Sequence, residues 1–134
     1  MSRHVLVVED DPHNATLLRK VLEKRLLAEV SVTDSPEEMF AIVRGRPVAL
    51  IVLDVSLGQS EWNGRPVDGI DLCRILKQDP ATARIPVILA TAHAMRGDAE
   101  RLLRDSGADD YVAKPILDHA AFIAQAQQLM ERAA

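Results

Sequence analysis

Five side chains able to handle phosphate or a hard cation stand where apolar runs of this sequence stop. Glu9 and Asp10 follow the run His4–Val8, Asp54 follows Val48–Leu53, Thr91 follows Val87–Ala90, and Lys114 follows Tyr111–Ala113. If those runs are parallel strands of one open sheet, their carboxyl ends share an edge, which is where such sheets place ligands. Three carboxylates, a hydroxyl and an ammonium then converge. Like charges about 5 Å apart repel by about 3 kcal/mol per pair at an effective dielectric of ~20, so the cluster calls for a cation beyond Lys114. Mg²⁺, or Mn²⁺ in its place, is the expected one. Magnesium takes hard oxygen ligands in an octahedron and keeps several waters, which suits two carboxylates and a backbone carbonyl from the loop after Asp54.

The elements that must position these groups are legible as short β-branched runs alternating with longer stretches of helical period. That is the pattern of repeated β-α units around a parallel sheet, an α/β fold. His4–Val8 and Val48–Leu53 are apolar throughout, as expected of central strands covered on both faces. Glu29–Thr33 instead alternates, Val30 and Val32 against Glu29 and Ser31, and belongs nearer an edge. Val87–Ala90 and Tyr111–Ala113 complete five strands, with Pro86 at a strand start where its missing N–H is tolerated. The first helix stacks Leu17, Leu18, Val21 and Leu22, with Asn14 or an acidic residue just before it as the cap. The second opens at Ser35-Pro36-Glu37-Glu38, an N-cap serine followed by proline and glutamate. A third carries Ile70, Cys73 and Leu76 before Asp79-Pro80, and a fourth carries Ala99, Leu102 and Leu103 before Gly107. The last follows Asp118 and gathers Phe122, Ile123, Ala126, Leu129 and Met130 on one face.

Composition narrows the class. With 134 residues, 48% of them hydrophobic, one domain over 1–134 can bury a core without staples. Cys73, the single cysteine, cannot form an internal disulfide, and no segment reads as a signal peptide or approaches membrane-spanning length, so a cytoplasmic protein without membrane association is expected. The net charge of −4 and the scattered lysines and arginines leave no basic stripe, so direct nucleic-acid binding is not expected. Aromatic content of 3% suits an aliphatic sheet packed by aliphatic helices. His4, His13, His93 and His119 lack metal-ligand spacing and read as structural or solvent-facing. Cys73 reads as a small core hydrophobe.

Four segments resemble the receiver domains of two-component response regulators, including the chemotaxis-type single-domain members. Leu6-Val7-Val8-Glu9-Asp10-Asp11 is similar to the family's first strand and acidic pair, and Leu50-Ile51-Val52-Leu53-Asp54 to its phosphoacceptor strand. Ile88-Leu89-Ala90-Thr91-Ala92 is similar to its hydroxyl strand, and Tyr111-Val112-Ala113-Lys114-Pro115 to its lysine turn. The resemblance spans essentially the whole chain. It implies a flavodoxin-like (βα)5 doubly wound sheet of strand order 2-1-3-4-5 and a cis peptide at Lys114-Pro115. It also implies that a sensor histidine kinase or histidine phosphotransfer protein supplies a phosphoryl group to Asp54. The chain then catalyses its own Mg²⁺-dependent phosphorylation and dephosphorylation and is no dedicated enzyme. On this resemblance Asp10, Asp54 and the backbone carbonyl of Ser56 hold the metal, with Glu9 contributing directly or through water. Lys114 pairs with one phosphoryl oxygen and Thr91 hydrogen-bonds another. Thr91 and Tyr111 form the switch, coupling the new charge to a face of helix four, strand five and helix five that meets a downstream protein. A homodimer formed on phosphorylation is a further expectation. The chain departs from the family pattern in an enlarged loop over about 56–68, where Asp68-Gly69 arrives behind Gly58-Gln59-Ser60-Glu61-Trp62-Asn63-Gly64-Arg65-Pro66.

Taken singly, each residue has a plainer reading. Glu9 and Asp10 could be a solvated strand end facing a helix dipole, Asp54 a loop carboxylate, Thr91 a cap of the fourth helix, and Lys114-Pro115 a turn. Together they favour the site. Three rival functions are weighed against it. A pseudo-receiver, an interaction module without phosphorylation, would not need all of Glu9, Asp10, Asp54, Thr91 and Lys114. A haloacid-dehalogenase-type phosphohydrolase wants a second aspartate where Ser56 stands. A flavodoxin-like flavin carrier needs phosphate-binding donors where this chain is acidic. Trp62 either covers the enlarged loop or anchors a partner.

Overall fold

Side chains alternate along a strand, so Val5 and Val7 face one side of a sheet while Leu6 and Val8 face the other. Both sides are covered here. The computed structural model describes residues 3–58, 60–93 and 96–133. In chain order the elements are β1 (His4–Val8), α1 (Pro12–Leu26), β2 (Glu29–Thr33), α2 (Pro36–Gly45), β3 (Leu50–Asp54), β4 (Glu61–Trp62), β5 (Arg65–Pro66), α3 (Gly69–Gln78), β6 (Val87–Thr91), α4 (Arg96–Ser106), β7 (Asp110–Ala113) and α5 (His119–Ala133). Five strands form a parallel sheet in the order β2-β1-β3-β6-β7, while β4 and β5 form a separate antiparallel pair. Without that pair the order is the expected 2-1-3-4-5, the flavodoxin-like doubly wound arrangement.

The alternation divides the core in two. Val5, Val7, Leu50, Val52 and Ile88 meet α1 and α5 through Leu18, Leu22, Phe122 and Ala126. Leu6, Val8, Ile51, Leu53 and Leu89 meet α2, α3 and α4 through Met39, Leu72, Leu76 and Leu102. Every residue of β1, β3 and β6 is buried, whereas β2 and β7 are partly exposed at the edges. Cys73 lies fully buried in the second cluster.

Several boundaries differ from the sequence expectation. β3 begins at Leu50 instead of Val48, and β6 and β7 each gain one residue, Thr91 and Asp110. The α1 cap is Asp11, whose Oδ1 accepts the His13 N–H at 2.9 Å, and Pro12 takes the first helical position. Ser35 caps α2 as expected, accepting the Glu38 N–H at 3.2 Å. Gly107 follows α4 at φ +76°, and the Lys114-Pro115 peptide is cis. The β4–β5 hairpin was not expected. It turns on Asn63 and Gly64, both at positive φ (54° and 77°), the geometry that Asn-Gly favours in two-residue hairpins.

Candidate active site

Register carries the candidate residues to one edge. Val8 pairs with Leu53, so Glu9 stands level with Asp54. Asp54 pairs with Ala90, placing Thr91 one residue beyond, and Thr91 pairs with Ala113, placing Lys114 next. Backbone bonds continue the ladder past the strand ends, with Val55 N–H donating to Ala90 O at 3.0 Å and Lys114 N–H to Thr91 O at 2.8 Å. Oxygens of Glu9, Asp10 and Asp54 lie within 4.8 Å of one another. Glu9 and Asp54 are buried, and Asp10 is exposed at the mouth.

Lys114 Nζ donates to Asp54 Oδ1 at 2.8 Å and to Glu9 Oε1 at 3.4 Å. Burial works to lower its pKa, but its bonds to the two carboxylates and their charge raise it on balance, so it stays protonated. One ammonium among three carboxylates leaves the edge short of positive charge. Burial, followed by the contact with Asp54, pushes the Glu9 carboxyl up to about 7. Burial and the Asp54 charge raise Asp10 as well. Glu9 Oε2 and Asp54 Oδ2 are buried with no hydrogen-bond partner, and a buried polar atom without a partner is costly. Two orphaned, adjacent carboxylate oxygens with a third carboxylate at the mouth are a donor set that fits a hard, oxygen-loving divalent cation. The loop after β3 leaves room beside it. Gly58 stands at φ +62°, and a Cβ there would come within 3.0 Å of Asp10 Oδ2.

Ser56 follows Asp54 in the loop, where its N–H donates to Asp54 Oδ1 at 3.3 Å and keeps its backbone beside the carboxylate. Thr91 is buried, and its Oγ1 accepts the His93 N–H at 3.0 Å. That bond closes a turn ahead of α4, which begins only at Arg96, so Thr91 does not cap the helix. A hollow of about 210 Å³ between Thr91 and α4 is lined by His93, Asp98 and Leu102. Tyr111 is not brought to the carboxylates. It lies half-buried against the α2–α3–α4 side of the core, with its carbonyl accepting from Gln125 Nε2 at 2.7 Å.

Two neighbours were missed in the sequence reading. The sequence marks Asn14 only as a cap candidate, yet its Nδ2 donates to Glu9 Oε1 at 3.2 Å. Gly69 marks where the N-terminus of α3 meets the end of β3: its N–H donates to Val55 O at 2.8 Å, and a Cβ would overlap the Asp54 carbonyl oxygen. Trp62 packs against Phe40 of α2, ring centroids 4.4 Å apart and planes tilted by 39°, which seats the hairpin on the helix. His4 is buried, its Nε2 2.9 Å from Ser31 Oγ, in keeping with a structural role. No described helix is long and apolar enough to cross a membrane.

A doubly wound sheet with an acidic edge, a strand-end hydroxyl and a facing lysine is a receiver-type architecture. Comparison gives the family directly: residues 5–127 match the response regulator receiver domain, and the chain belongs to that family. It is 36% identical over 112 residues to the signal transduction histidine-protein kinase BarA of Escherichia coli, covering 84% of this chain and 11% of the kinase. The chain thus spans about a tenth of that relative. It is 34% identical over 116 residues to the polar-differentiation response regulator DivK of Brucella ovis, 87% of each chain being covered. The receiver domain of a sensor histidine kinase of Pseudomonas aeruginosa, solved with a magnesium ion coordinated in its active-site cleft, superposes with a TM-score of 0.80 at 26% identity over 98% of this chain and 99% of that one.

Proposed function

We propose that this chain is a phosphoacceptor that takes a phosphoryl group from a phosphohistidine of a kinase or phosphotransfer protein onto the Asp54 carboxylate. The carrying observation is the pair of buried, unpartnered oxygens, Glu9 Oε2 and Asp54 Oδ2, beside Lys114. In the transfer the P–N bond to histidine breaks as a P–O bond to Asp54 forms, and the protein's contribution is in-line positioning and charge neutralisation. Asp10, Asp54 and the Ser56 carbonyl, with Glu9 directly or through water, would hold a divalent cation, Mg²⁺ or Mn²⁺, which would supply positive charge to the phosphoryl oxygens. Lys114, already ion-paired to Asp54, pairs with one phosphoryl oxygen, and the Thr91 hydroxyl donates to another once it leaves the His93 turn. The hollow between Thr91 and α4 gives that movement room. Tyr111 then turns inward, and the surface of α4, β7 and α5 changes for a downstream protein or a second copy of the chain. Residues 1–134 act as one domain, in the cytoplasm, with the enlarged loop of about 56–68 as a surface feature.

Mass spectrometry after incubation with acetyl phosphate tests this. A phosphoryl adduct that requires both Mg²⁺ and Asp54, absent in Asp54→Asn, is expected. No adduct under any condition moves the reading to a pseudo-receiver, a module that binds its partner without phosphorylation.

A further inference from the structure

The fold treats the two oxygens of Glu9 differently. Oε1 accepts from Asn14 Nδ2 at 3.2 Å and from Lys114 Nζ at 3.4 Å, whereas Oε2 is buried without a partner. Asn14 sits in the first turn of α1, where Asp11 Oδ2 takes a second bond from the same amide nitrogen at 3.4 Å. Glu9 Oε1 already accepts from the Lys114 ammonium, which cannot accept in return, so the NH₂ end of Asn14 faces that oxygen. Lys114 does not hold Glu9 alone, since its shorter bond goes to Asp54 Oδ1 at 2.8 Å. A glutamate has one more rotatable bond than an aspartate, and a donor fixed to a helix start removes that freedom at Glu9.

We propose that Asn14 is a positioning residue for the divalent cation: its amide holds Glu9 Oε1 and so presents Oε2 toward the free oxygen of Asp54. The inference rests on the cation site proposed above. Partners that orient metal ligands without touching the metal typically contribute 10- to 100-fold in affinity. A half-exposed amide belongs at the lower end of that range.

Calorimetric titration with Mg²⁺ and with Mn²⁺ provides the test, on the wild type, Asn14→Leu, Asn14→Ser, Glu9→Ala and the Glu9→Ala/Asn14→Leu double variant. Asn14→Leu is expected to weaken Mg²⁺ binding about 10-fold, with Asn14→Ser close behind, while unfolding midpoints in a chelator stay within a few degrees of wild type. In the Glu9→Ala background the Asn14→Leu loss should vanish, because the pair acts as one unit. Wild-type affinity in both Asn14 variants overturns the proposal, and so does an equal loss with Glu9 absent, which would mean that Asn14 acts through the α1 start. A wild type that binds neither metal removes the cation site together with this inference, a result distinct from an insensitive Asn14.

Discussion

Glu9 is 3% exposed, with one oxygen bonded and the other free, and its carboxyl is pushed up to about 7 from the ordinary 4.5. Burial is the first cause, followed by the neighbouring Asp54, with Lys114 and Asn14 opposing both. The sign of the resulting pH dependence follows from linkage. In the metal-free fold Glu9 keeps its proton up to about pH 7, while the unfolded chain loses it near 4.5, so between these values the folded state binds more protons. Glu9's contribution is therefore fully present below pH 4.5 and is lost as pH rises through about 7. Thermal unfolding in a chelator from pH 5 to 8 should show wild-type stability falling relative to Glu9→Gln, by on the order of 1 kcal/mol per pH unit at most. Parallel curves for the two proteins would remove Glu9 as the cause. Saturating Mg²⁺ should flatten the wild-type curve, because the cation takes over what the proton does in its absence.

The N-terminus of α3 is set against the strand end that carries Asp54. Asp68 caps it in a reciprocal box with Asp71, at 2.9 and 3.1 Å, and Gly69 lies against the end of β3. A methyl at position 69 would meet Val55 Cα at 2.8 Å as well as the Asp54 carbonyl, both of them backbone and neither free to swing away. Gly69→Ala should destabilise the protein by about 3 kcal/mol, in the range of overpacking against rigid atoms, and should slow acetyl-phosphate labelling by shifting the Asp54 backbone. Denaturant unfolding and labelling rates measure the two effects, and a neutral substitution would mean that α3 can retreat from β3. In the sequence Gly69 stands out only as half of a displaced Asp-Gly pair, since close approach of two backbones leaves no local signature. The strands were legible because apolar runs and alternation report burial on one face or two, and so were the site carboxylates and Lys114, because parallel strands deliver their ends to one edge. The hairpin had a readable signal in Asn63-Gly64, but its strands are two residues each, too short for alternation to appear. The end of α1 had none: Leu27 takes φ +54° without glycine. Asn14 looked like a cap because its role depends on a partner on another element.

Across the whole molecule, stability and chemistry are separated in space. Two aliphatic clusters on opposite faces of the sheet hold the fold, while the unfavourable charge is concentrated at one edge, where Lys114 is the one cation within ion-pair distance of Glu9 and Asp54 among the described residues. Sites that violate the local rules of packing and pairing for the sake of function are stabilised from elsewhere, and relaxing them should raise stability at the expense of activity. Asp54→Asn is the cleanest relaxation. It keeps the shape, removes the central carboxylate and leaves Lys114 with Glu9 at 3.4 Å. Each like-charge pair it abolishes is worth a few kcal/mol at an effective dielectric of ~20, offset by the lost ion pair, so a net gain of about 1–2 kcal/mol is expected at pH 8 without metal. Mg²⁺ should reverse the ranking, because a ligand bound only by the native state stabilises in proportion to its saturation, and the variant lacks the central ligand. Unfolding midpoints measured with and without Mg²⁺ should thus cross: the variant higher in chelator, the wild type gaining more from the metal. A variant less stable than wild type in chelator would mean that the Lys114–Asp54 ion pair outweighs the repulsion, and that the edge is held together by its lysine without need of a cation.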